Sequence, residues 1–172
     1  MNDPRNDPRV RGSHSVRSHL EDVRRFHQKF GLLDGGTKPG LLTQRKMRER
    51  VECILEELME LCEASGLALT GNRTNDKLTV EIVQKEQDLP AQADALIDLE
   101  YFCHGTSVML GLPQEKLWSD VQRANLSKVR GVGKRGHAFD CVKPEGWVGP
   151  RGEEILKAAG WDEEDKTERD DQ

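Results

Sequence analysis

The sequence predicts an all-α fold, a bundle of four to five helices, on three observations. Apolar residues recur at steps of three and four in two long windows, residues 15–30 and 43–66. Two further windows, 90–110 and 113–129, each open on a proline, and the first closes at Gly111. Between the windows lie stretches rich in glycine, proline or charge, which suit loops. With 172 residues the chain is long enough for one domain with a real core.

Residues 1–14 contain NDPR twice in tandem, too short a repeat to build structure, and read as a flexible tail. The domain proper spans 15–160. Its first helix carries Val16, Leu20, Val23, Phe26, His27 and Phe30 at helical spacing and ends at Gly31. Residues 31–42, with four glycines and a proline, form a loop. Thr43 is placed to cap a long helix ending at Gly66, with Met47, Val51, Ile54, Leu55, Leu58, Leu61 and Cys62 in 3,4 spacing. Residues 66–88 leave two readings open. They form a small β-hairpin, "LALT" and "KLTVEIV" about the turn "GNRTND", or an irregular insert with a helical end. Pro90 opens the third helix and Pro113 the fourth, in which Trp118 is expected in the core. The glycine-rich, basic stretch after residue 129 reads as loop, with Trp147 packing it onto the bundle. A short helix, "RGEEILKAAG", follows, and residues 161–172 are a charged tail that cannot fold alone.

The net charge is −5, which argues against a general nucleic-acid binder. No apolar run is long enough to span a membrane, and the first residues lack a secretory apolar segment. Cys53, Cys62, Cys103 and Cys141 show no CxxC spacing, and three of them lie on apolar helical segments as small hydrophobes. A reducing, cytoplasmic setting is expected.

Two helices carry carboxylates beside their apolar stripes. Glu56, Glu57 and Glu60 share one edge of the long helix, at spacings of three and four. Asp94 and Asp98, four residues apart, share a face of the third helix, whose other residues are mostly apolar. One account is a solvated acidic face. The other is convergence of about five carboxylates between packed helices, which needs cations; hard oxygen ligands select Mg²⁺ or Mn²⁺, often with substrate phosphates as further ligands.

These residues carry a resemblance. "EELME" at 56–60 matches the EExxE signature of the MazG-like all-α nucleoside triphosphate pyrophosphohydrolases, a group that includes phosphoribosyl-ATP pyrophosphohydrolase and dimeric dUTPases. "VRRFHQKFG", "DALIDLEYFCHGTSVMLGLP", "LWSDVQRANLSKV" and "FDCVKPEGW" resemble the phage and bacterial MazG-like branch in order and spacing, over roughly residues 15–160. The resemblance implies the bundle of that family and cleavage of a nucleoside triphosphate between its α and β phosphates. Glu57, Glu60, Asp94 and Asp98 would hold the divalent ions, with Glu56 beside Glu57 to orient or deprotonate water. The second family motif, ExxD, is altered: Asp98 matches its aspartate, but Ala95 stands at the glutamate position and Asp94 would take over. Asn125 and Lys128 would face the nucleotide, although position alone makes Lys128 a surface lysine suited to a helix C-terminus. Lys134, Arg135 and Lys143 would close over the β and γ phosphates. His27 would help wall the base pocket, where a lone histidine on an amphipathic helix otherwise reads as structural; His104 reads as a satisfied core histidine. The family implies a dimer or dimer of dimers, in a bacterial or phage-infected cytoplasm. Control of the nucleotide pool is the implied role, with a purine dNTP such as dGTP slightly favoured by the MazZ-like branch. Phosphoribosyl-ATP or dUTP as substrate, or a noncatalytic helical regulatory module, are the alternatives.

Overall fold

The computed structural model describes residues 18–33, 38–72, 77–84, 86–131 and 140–162. The expected N-terminal tail, most of the C-terminal tail, and Lys134 and Arg135 lie outside the described residues. The fold is predominantly all-α, with five helices among the described residues, α1 (His19–Phe30), α2 (Gln44–Ala64), α3 (Leu89–Met109), α4 (Gln114–Leu126) and α5 (Gly152–Ala158). Two small antiparallel pairs accompany them, β1 (Leu67–Asn72) with β2 (Lys77–Ile82) and β3 (Val129–Gly131) with β4 (Asp140–Val142).

Local chemistry sets the helix ends. Ser18 is extended, and its hydroxyl accepts from the Glu21 N–H at 3.3 Å, so α1 starts one residue later. Gly31, at φ 67°, ends it in the left-handed region. Thr43 caps α2 by accepting from the Lys46 N–H at 3.2 Å. Asp88 accepts from the Ala91 N–H at 3.1 Å and so opens α3, with Pro90 in its first turn.

Between α2 and α3 the chain forms a hairpin, the first of the two readings left open for 66–88. Its ladder runs from Leu67 paired with Ile82 to Asn72 paired with Lys77. Gly66 is the joint from α2 into β1, at φ 69°. A Cβ there would sit 2.7 Å from the Gln84 carbonyl oxygen and 2.9 Å from that of Glu86. Gly66→Ala therefore combines a left-handed strain with a clash against backbone, and is expected to cost about 1–3 kcal/mol of stability in urea denaturation. A loss below a few tenths would mean that the returning strand yields freely.

The chain divides into two compact units, residues 1–33 with 52–105 and residues 34–51 with 106–172. In the first, Val23, His27, Cys62 and Ala95 are buried, and Phe26 of α1 meets Tyr101 of α3 edge to face at 5.6 Å. In the second, Leu42, Val108, Met109, Asp120 and Ala124 are buried. There the Gly40 N–H donates to the Leu110 carbonyl at 3.0 Å, and the Arg50 Nε to the Thr106 hydroxyl at 3.1 Å.

Two expectations need correction. The stretch after residue 129 is not all loop, because β3 and β4 pair Val129 with Val142. Trp118 is 70% exposed rather than in the core, because the side of α4 that turns inward carries Asp120 and Ala124. Although α3 is mostly apolar, its Leu89, Leu96 and Ile97 are exposed on this chain, and Ala95 is the residue its first half buries.

Candidate active site

All three glutamates of the EELME segment lie on α2, Glu57 half-buried and Glu56 and Glu60 exposed. Asp94 and Asp98 project from α3, also exposed. The Glu57 carboxyl is pushed above its ordinary value, first by burial, then by the charges of Glu60, Asp98, Asp94 and Glu56. The charges that act on Glu57 thus come both from its own helix and from α3. All five carboxylates belong to the first unit. Ala95, at the glutamate position of the family's second motif, is buried, whereas Asp94 one residue earlier belongs to the acidic group.

A group of like charges is costly unless something opposes it. Glu57 Oε2 is a buried acceptor with no hydrogen-bond partner among the described residues. An all-oxygen donor set with one orphaned carboxylate oxygen fits a hard divalent cation such as Mg²⁺ or Mn²⁺.

A cationic group occurs in the second unit. Lys128 Nζ donates to Asn125 Oδ1 at 2.9 Å, which brings together two residues expected to face the nucleotide. Both Lys128 and Lys143 stand over the Trp147 ring, at 5.9 and 4.4 Å from its centroid. The indole Nε1–H donates to the Ala124 carbonyl at 2.9 Å, so Trp147 does fasten the segment after β4 to α4. His27 is 3% exposed on α1, with the Phe26 ring 6.1 Å away. Among the described residues Asp120 is the other buried polar one, accepting from Arg123 Nε at 2.8 Å and from the Arg151 backbone N–H at 2.6 Å.

Reading along the sequence missed one group. His19, Glu100 and His104 come together in the first unit, and His104 is tied to Glu100 rather than satisfied in the core. The four-residue step from Glu100 to His104 was visible; the contact with His19, 81 residues away, was not.

The profile of the phosphoribosyl-ATP pyrophosphohydrolase family matches residues 23–125, which include the acidic group on both helices. No curated protein matches the chain. No helix among the described residues is long and apolar enough to cross a membrane.

Proposed function

The chain belongs to the phosphoribosyl-ATP pyrophosphohydrolase family, within the MazG-like all-α superfamily, and from that premise we propose that it hydrolyses a (deoxy)nucleoside triphosphate between the α and β phosphates. Membership carries pyrophosphohydrolase activity on a nucleotide-like substrate. The observation that supports the reading is the half-buried Glu57, whose carboxyl is raised by burial and by the charges of Glu60, Asp98, Asp94 and Glu56.

A triphosphate brings about four negative charges, so its cleavage rests on positioning and charge neutralisation. Glu57, Glu60, Asp94 and Asp98 are the oxygen ligands that would hold Mg²⁺ or Mn²⁺. When bound, such an ion supplies charge neutralisation at the phosphates and a more acidic water. Glu56 orients the attacking water and accepts its proton. A bond forms from the water oxygen to the α phosphorus while the bond to the α–β bridging oxygen breaks. Pyrophosphate leaves with that electron pair, and the nucleoside monophosphate remains. Asn125, Lys128 and Lys143 offer a hydrogen-bonding amide and two ammonium groups for phosphate oxygens, and Lys134 and Arg135 add charge to the same segment. His27 supports the base side through the α1 packing. A second reading, phosphoribosyl-ATP as substrate, is favoured by the name of the matched family and uses the same anhydride bond.

Incubation with each dNTP and NTP, and with phosphoribosyl-ATP, in Mg²⁺ or Mn²⁺ should give monophosphate and pyrophosphate from one or a few of them by chromatography. Diphosphate with free phosphate would place the cleavage elsewhere, and no turnover of any triphosphate would discard the leading reading.

Self-association follows from the same surface physics. Leu55 and Met59 on α2 and Leu96 and Ile97 on α3 are exposed apolar residues in the first unit, more than an isolated chain keeps in water at no cost. Sedimentation should give two or four times 19.4 kDa. A monomer at tens of micromolar would remove the assembly from the proposal.

A further inference from the structure

A second set of ligand-type side chains lies apart from the acidic group, on the opposite end of the α3 sequence from Asp94. His19, the first residue of α1, places Nδ1 3.1 Å from Oε1 of Glu100. His104, one turn after Glu100 on α3, places Nε2 3.2 Å from the same oxygen. The two imidazole rings are 6.5 Å apart, inclined at 68°. The three donor atoms all lie within 4.8 Å of one another. They line a cavity of about 240 Å³ whose other walls include Val23, Ile97 and Tyr101.

Bonds of about 2.1 Å from a tetrahedral ion set its ligand atoms roughly 3.4 Å apart. Two of the three separations here already have that size. Imidazole nitrogen selects zinc and its neighbours over magnesium, whereas the glutamates and aspartates near Glu57 present only oxygen. Three protein ligands leave a fourth position for water or a small anion, on the side of the cavity. Hydrogen bonding alone is a weak reason for such a cluster, because His19 is 74% exposed and an exposed ion pair adds little to stability.

We infer that His19, Glu100 and His104 form a binding site for a borderline divalent ion, zinc above all, distinct from the acidic group around Glu57. An ion there joins the start of α1 to α3, the helix that bears Asp94 and Asp98. The inference does not depend on which phosphate ester the protein cleaves, or on whether it cleaves one.

Titration with Zn²⁺ by calorimetry, and with Co²⁺ followed by its visible absorption, tests the site on the full chain. One equivalent of Co²⁺ should develop the spectrum of a low-coordinate ion with imidazole ligands, and Glu60→Ala should leave it intact. His19→Ala and His104→Ala should each weaken Zn²⁺ binding by more than about tenfold, the lower end of what even an outer-sphere change costs. His19 is mostly exposed, so its variant keeps the fold and circular dichroism can verify this. Unchanged affinity in both histidine variants, no binding by the unmodified chain, or loss of the cobalt spectrum in Glu60→Ala would each overturn the assignment.

Discussion

Glu60→Ala is expected to lower kcat by on the order of 10²–10³-fold, with a much smaller change in KM. Glu60, one helical turn from Glu57, is the charge that raises the Glu57 carboxyl most. Removing one oxygen from a site that neutralises a transition state costs rate more than ground-state binding. Equal activity in the variant would show that the acidic group is a solvated face. Stability should move the other way. In metal-free buffer Glu57 is a carboxyl whose folded state holds its proton to higher pH than the unfolded chain does. From the ordinary glutamate range up to that raised value the folded state binds more protons, so stability falls as pH rises through the window. Glu57→Gln removes this slope and raises Tm in chelator, while losing the stabilisation that added Mg²⁺ or Mn²⁺ gives the unmodified chain. A residue that only supports the fold would lower Tm in both conditions.

Asp120→Ala is expected to cause the largest loss of stability, a fall in Tm on the order of 5 °C or more by calorimetry. Asp120 is buried, and its carboxylate accepts from Arg123 and twice from Arg151, while Arg123 also donates to the Gly149 carbonyl at 3.0 Å. One side chain thereby ties α4 to the entry of α5. Deleting it leaves an orphaned backbone N–H and two guanidinium groups without their shared anion. The Arg123 guanidinium and the Arg151 N–H hold the Asp120 carboxyl far below the usual aspartate range. The stabilisation is therefore complete above the ordinary aspartate value, roughly 3.9, and declines only as pH falls below it toward the lowered folded value. The difference between the unmodified chain and Asp120→Asn should be flat from neutral pH down to about 4 and shrink at lower pH. A gap of constant size into strong acid would mean that shape, not charge, is what the site uses.

Helix ends were readable because their chemistry is local. Gly31 and Thr43 act within three or four residues of their own position, as do Ser18 and Asp88, two caps the sequence reading passed over. The acidic group was readable for a related reason: the spacing of Glu56, Glu57 and Glu60, and of Asp94 and Asp98, fixes their faces before any packing is known. What remained hidden depends on contacts distant in sequence. Trp118 reads as a core residue from its size, yet the inner side of α4 is chosen by Asp120 and its partners at Gly149 and Arg151. Arg130 and Cys141 become neighbours in a strand pair across a segment whose glycines favour a loop reading. His19 sits at the start of α1, and no periodicity within that helix points to Glu100.

The β1–β2 ladder also bears on how much change in length the chain can absorb. Every pair from Leu67–Ile82 to Asn72–Lys77 is in register, with the Gly66 joint at the end nearest the helices. A ladder of this kind can gain or lose one residue on each strand at its outer end without disturbing the joint or moving Glu57 relative to Asp94. Doubling the length of the connection adds only about 0.6 kcal/mol of closure entropy. Length in this segment is thus close to neutral in free energy. The hairpin is therefore a place where an insertion is expected to be tolerated at little cost to folding.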